Sequence, residues 1–120
     1  MLVSDSLTNK DRSFLRLAAR VAGASEMKQK HGAVIVKGGR VMSVGINKWR
    51  NDPENIESEK ARSSCSTHAE VDALSRVNNP SGATLYIARV NRSGKSLLSA
   101  PCENCWVAIR NSGIRKVVFT

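Results

Sequence analysis

A mixed α/β fold is predicted by three features of the chain: a helical periodicity near the N-terminus, two β-branched runs joined by glycines, and two later helix signals each followed by a strand. In the first, Phe14, Leu15, Leu17, Ala18, Val21 and Ala22 recur at the three-to-four spacing of a buried helical face, and Thr8 with Asp11 supplies a cap. His31 to Lys37 and Arg40 to Gly45 then read as two strands, with Gly38-Gly39 as a tight turn between them. Lys48 to Ser66 is poor in apolar residues and rich in Asn, Asp, Glu and Ser, which predicts a long surface loop. Ser66 or Thr67 can cap a helix running to about Val77, stopped by Asn78-Asn79-Pro80-Ser81-Gly82. Ala83 to Val90 is a third strand, Arg92 to Ser99 a loop, and Pro101 can open a helix from about Cys102 to Asn111 with Gly113 as its C-terminal cap. Arg115 to Phe119 makes a last strand. The predicted order is helix, strand, strand, helix, strand, helix, strand.

With 120 residues the chain suits one domain, residues 1–120, with a real core. Its 41% apolar and 24% charged residues are ordinary for a globular protein, and no apolar run nears the ~20 residues of a membrane-spanning helix. Met1 to Asp11 lacks the apolar core of a secretory signal, so a cytoplasmic location is expected. The formal net charge of +9 favours anionic partners without saying which. Three cysteines cannot all pair, and in a reducing compartment their spacing points to free or metal-bound thiols.

Cys102 and Cys105 are spaced i, i+3 at a predicted helix start, which puts both sulfurs on one face near N–H groups that favour thiolates. His68 opens another helix. One imidazole and two thiolates make a three-ligand set that leaves tetrahedral zinc an open position, the mark of a catalytic site. Glu70, two residues after His68, is placed to move protons without being a ligand. His68-Ala69-Glu70 and Pro101-Cys102-Glu103-Asn104-Cys105 together match the H-x-E and P-C-x-x-C signature of zinc deaminases.

The resemblance extends from about Leu7 to the end of the chain, through Gly32-Ala33-Val34-Ile35-Val36, Gly45-Ile46-Asn47 and Pro101 to Phe119. The chain resembles the cytidine and deoxycytidylate deaminase superfamily. That resemblance implies a three-layer α-β-α fold with a central mixed sheet, here in a minimal form ending after the fourth strand. It implies zinc on His68, Cys102 and Cys105, proton transfer by Glu70, and ribose or base contacts from Asn47. His31 and Gly32 would line the base pocket, with the backbone near Ala69 and Ser99 facing the amino-bearing edge. The implied reaction converts a cytosine nucleoside or nucleotide to the uracil product with release of ammonia, and the implied assembly is a homo-oligomer.

Two departures stand out. Asp72 occupies a place where deoxycytidylate deaminases commonly carry Asn, which leaves substrate choice open, and relatives commonly continue past the fourth strand with a fifth strand and a helix. Alternatives remain at this level. Cys65-x-x-His68 with Cys102-x-x-Cys105 would make a closed structural zinc site in a non-catalytic module. A polynucleotide substrate, single-stranded DNA or tRNA, would draw on the +9 charge and on the loop with Trp49 and Arg50. Lys48 and Arg50 are candidates to grip a phosphate, whereas Trp49 and Trp106 read first as packing residues.

Overall fold

The structure is a computed structural model and describes residues 2–3, 7–49 and 66–120. In chain order the elements are β1 (Leu2–Val3), α1 (Asn9–Ala22), β2 (Lys30–Lys37), β3 (Arg40–Ile46), β4 (Lys48–Trp49), β5 (Ser66–Thr67), α2 (Ala69–Ser75), β6 (Thr84–Val90), β7 (Ser96–Leu97), α3 (Glu103–Ser112) and β8 (Lys116–Phe119). The main sheet runs β1-β8-β6-β2-β3, with β7 paired to β6. β2 is antiparallel to both β3 and β6, whereas β8 is parallel to β6 and to β1, so the sheet is mixed as expected.

Strand alternation divides the core into two faces. Ala33, Ile35, Leu85, Ile87 and Val117 share one cluster with Ala69 and Ala73 of α2 and Ile109 of α3. Val34, Val36, Tyr86, Ala88 and Val118 share the other with Leu15 and Ala18 of α1. The result is the predicted α-β-α stack. α1 is started by a capping box, in which the Asp11 N–H donates to Thr8 Oγ1 at 3.0 Å and the Thr8 N–H donates to Asp11 Oδ2 at 3.2 Å. The β2–β3 turn is made by Gly38 and Gly39 at φ 60° and 77°, the left-handed pair that a two-residue hairpin requires.

Two other glycines set how near the helices lie to the sheet. A Cβ on Gly32 would fall 2.2 Å from the Ala18 carbonyl oxygen of α1, and one on Gly45 would fall 2.4 Å from the Ala73 nitrogen of α2. Each helix therefore rests directly on strand backbone, one on each face.

Several boundaries differ from the sequence reading. Ser66 and Thr67 do not cap α2. They form β5, antiparallel to β4, and His68 is the cap residue instead. The 92–99 segment contains β7, paired with Arg89 and Val90. Leu2–Val3 adds a parallel edge strand beside β8, so β8 is the fourth of the longer strands but not the sheet edge. Among the described residues no helix is long and apolar enough to cross a membrane. Arg50 and Cys65, and most of the expected 48–66 loop, lie outside the described residues.

Candidate functional site

The start of β2, the end of β3 and the N-termini of α2 and α3 meet at one end of the sheet. His68 is the N-cap of α2 and Cys102 the N-cap of α3, and neither side chain makes the usual cap hydrogen bond to its own helix. Both are left free to turn toward each other. His68 Nδ1 lies 3.5 Å from Cys102 Sγ and 3.1 Å from Cys105 Sγ, and the three ligand atoms all fall within 4.8 Å of one another. Tetrahedral zinc with ordinary Zn–S and Zn–N bonds separates such N and S atoms by about 3.6 Å. The donor set and its spacing thus fit zinc, and among the described residues it supplies three of the four ligands of a tetrahedral site.

Glu70 lies in the first turn of α2 and is only 4% exposed. Burial pushes the Cys105 thiol up from its ordinary value, and the Glu70 charge and the hydrogen bond with Cys102 push the same way. A divalent cation among these groups reverses that balance, because it stabilises the thiolate directly. His31 is half-buried at the start of β2. Burial lowers its pKa, Glu70 opposes this, and Arg89 and His68 lower it further, so the imidazole is neutral at neutral pH.

Asn47 is buried directly after β3. Its Oδ1 accepts from the His31 N–H at 2.9 Å and its Nδ2 donates to the Gln29 carbonyl, which pins the entry to β2 against the exit of β3. Among the described residues, one amide N–H and one lone pair of Asn47 remain for another partner. Ala69 is the first residue of α2, so its backbone N–H is among the helical donors with no intrahelical acceptor. Ser99 is 2% exposed, and its hydroxyl donates to the Ile87 carbonyl at 3.0 Å while its N–H donates to the Thr120 carbonyl at 2.8 Å. It ties the approach to Pro101 and Cys102 onto the middle of β6 and the residue that follows β8. Gly32 turns its open side toward α1, on the opposite face from α2 and α3, so only its backbone is available to the site.

Asp72 has a structural role that the sequence did not reveal. Its buried carboxylate accepts from the Ile46 N–H at 3.1 Å, from Lys48 at 2.9 Å and from Arg76 at 3.4 Å. Burial alone would raise its pKa, but the hydrogen bonds from Lys48 and Ile46 outweigh that and lower it. Lys48 is therefore committed to an acid rather than poised for a phosphate. Trp106 packs edge-on to Phe119, ring centroids 6.4 Å apart, in keeping with a packing role. Arg89 was not singled out from sequence, although the alternation Leu85, Ile87, Arg89 along one strand places a cation on a face otherwise apolar.

These elements define a three-layer α/β domain with a group of metal-ligating side chains, compatible with zinc, between two helix starts. Residues 8–120 match the family described as the cytidine and deoxycytidylate deaminase zinc-binding region, and the chain belongs to that family. It is 28% identical over 116 residues to a deoxycytidylate deaminase of Schizosaccharomyces pombe, a match that takes in 91% of this chain but 36% of that protein. The chain thus spans about a third of the length of that curated relative. Among solved structures it is similar to the dCMP deaminase of cyanophage S-TIM5, with TM-score 0.69 and 20% identity over 95% of this chain and 84% of that one. It is also similar to a guanine deaminase of Bacillus subtilis, with TM-score 0.59 and 21% identity over 95% of this chain and 64% of that one. The likeness to proteins named for different bases shows the fold without fixing a substrate.

Proposed function

We propose that this chain is a single-domain hydrolytic deaminase that converts a cytosine nucleoside or nucleotide to its uracil counterpart and ammonia. The observation that carries the reading is the convergence of His68, Cys102 and Cys105 with a buried carboxylate, Glu70, in the first turn of the helix that His68 caps. The family match and the relatives named for dCMP support the pyrimidine, and a structure of the cyanophage enzyme is a complex with dCMP and dUMP.

Zinc held by His68, Cys102 and Cys105 would supply Lewis acidity, making water acidic enough to attack at neutral pH. Glu70 takes a proton from the water as its oxygen adds to C4, and passes it to N3 of the ring. The second water proton then travels by the same carboxylate to the C4 amine. The C–N bond breaks, ammonia leaves, and the C4 carbonyl of uracil is formed. Neutral His31 and the remaining valences of Asn47 orient the base and sugar, while the backbone N–H of Ala69, without an intrahelical acceptor, serves the reacting edge. The closed four-ligand alternative leaves the buried Glu70 beside the ligands without a purpose. A cytoplasmic enzyme, whose thiols stay reduced for the metal, and a homo-oligomer complete the proposal. The edge strand β3 exposes Val41, Met42 and Val44, an apolar stripe suited to a second copy.

The test is ammonia release, with a product mass shift of about one dalton, over cytidine, deoxycytidine, dCMP, dCTP, adenosine, guanine, single-stranded DNA and tRNA. Turnover of a cytosine mononucleotide or nucleoside is expected, and Glu70→Ala should retain zinc yet lose at least ~100-fold in rate. Zinc-loaded protein that reacts with nothing on the panel would overturn the proposal. Reaction confined to the polynucleotides would transfer it to the second reading, which the net charge of +9 favours. Sedimentation of the same preparation reports the assembly, and a lone monomer would remove the oligomer.

A further inference from the structure

β6 carries one charge on a face that otherwise belongs to the core. Leu85 and Ile87 are fully buried against α2 and α3, and Arg89 is the next residue on that face. In the sheet it stands directly opposite His31 of β2. Its Nη1 reaches the Leu98 carbonyl at 3.5 Å, and Leu98 opens the short stretch that delivers Pro101 and Cys102. The guanidinium therefore lies between the histidine at the start of β2 and the segment leading to a metal ligand.

Nothing neutralises it among the described residues. The ion pairs there join Lys48 and Arg76 to Asp72 and Lys116 to Asp11, and none includes Arg89. Nε of Arg89 is buried without a hydrogen-bond partner. A guanidinium stays charged at any physiological pH and offers five N–H donors, so holding one half-buried against a single long bond to a carbonyl is unfavourable unless an anion completes it. Lys48, the other cation near the end of β3, is already taken by Asp72 at 2.9 Å.

We propose that Arg89 is the anion-recognising residue of the active site, receiving the phosphate of a cytosine nucleotide and so setting a preference for nucleotide over nucleoside. The inference rests on the deaminase reading and sharpens it. The planar guanidinium fork matches two phosphate oxygens at once, and an ammonium at the same place does not. His31, lowered in pKa by burial and adjacent, adds no second cation beside Arg89 at neutral pH.

The experiment is steady-state turnover of dCMP and of deoxycytidine by the zinc-loaded full chain, with Arg89→Gln and Arg89→Lys, each checked for zinc content and circular dichroism. The parent should prefer dCMP. Arg89→Gln should raise KM for dCMP by roughly 10- to 100-fold, with kcat changed by no more than a few-fold and deoxycytidine turnover unchanged. Arg89→Lys should recover part of the loss and, where the Gln variant does not fold, carries the decision by a several-fold rise in KM for dCMP alone. Equal losses on both substrates, or none on either, would overturn the assignment while leaving the deaminase in place. A parent that prefers deoxycytidine does the same. A parent inactive on both compounds removes the deaminase reading and the inference with it.

Discussion

A methyl group placed on Gly45 would be felt at the metal site, whereas one placed on Gly32 would not. The Gly45 Cβ would sit 2.4 Å from the Ala73 nitrogen and 2.5 Å from the Ala69 carbonyl oxygen, about 1 Å inside ordinary contact, and both obstacles are helix backbone that no rotamer change can move. α2 must therefore withdraw by about 1 Å, carrying His68 and Glu70 away from Cys102 and Cys105. Overpacking of this kind costs about 1–3 kcal/mol, or a fall in melting temperature on the order of 3–15 °C for a chain this size. A misplacement of about 1 Å at a reacting group costs on the order of 100-fold in rate. Gly32→Ala makes a similar clash, 2.2 Å from the Ala18 carbonyl oxygen, but displaces α1 on the far face. Thermal unfolding followed by circular dichroism, with zinc content and turnover of the best substrate, separates the two. Both variants should lose comparable stability, and only Gly45→Ala should lose activity in the protein that remains folded. Gly45→Ala melting and reacting like the parent would refute the reasoning, as would an equal activity loss in zinc-retaining Gly32→Ala.

Two further expectations follow from the buried acid and the thiols. Burial would raise the pKa of Asp11, but hydrogen bonds from Tyr86 at 2.7 Å, Lys116 at 2.9 Å and the Thr8 backbone prevail and hold it at about 2, below its ordinary 3.8. Its folded-state pKa is depressed, so its stabilisation is whole above the unfolded value and is lost as pH falls through 3.8 toward 2. The urea-unfolding gap between the parent and Asp11→Asn should narrow by about 2 kcal/mol from pH 5 to pH 2, and a constant gap would contradict this. Cys105→Ser should abolish stoichiometric zinc binding, whereas Cys65→Ser should leave metal content and activity intact; zinc lost with Cys65 would revive the closed four-ligand site.

The long elements were legible because local and tertiary signals agree in them. The Thr8–Asp11 box, the Gly38-Gly39 turn and the left-handed Gly113 cap each act within a few residues of chain. Thr67 misled because a threonine suits a strand as well as a cap, and its partner in β4, Lys48, is nineteen positions away. His68 and Cys102 are poor capping residues by type, so the start at Cys102 was legible only through Pro101, and the start at His68 was displaced to Ser66 or Thr67. The ligand set was read from chemistry, not from propensity, and the geometry brings the three side chains together. The commitment of Lys48 to Asp72 was invisible in one dimension, since either residue alone reads as a solvated charge. The family resemblance drew Asn47 and Ser99 out of the sequence, but how their polar atoms tie backbone to backbone is a matter of sheet register that only the fold displays.

The two helix starts have a further consequence for how the molecule divides its labour. A serine or aspartate at position 68 or 102 would hold the first-turn N–H groups of its helix and add about 1 kcal/mol to the fold. This chain forgoes both anchors, and α2 is only seven residues long, too short to persist without tertiary support. The corner proposed to react is thus also one where the scaffold forgoes its own anchors, and an ion gripped by both helix starts would act as a rivet between them. Loading and folding would then be two views of one equilibrium, the metal-bound population being set by the same free energy that closes this corner.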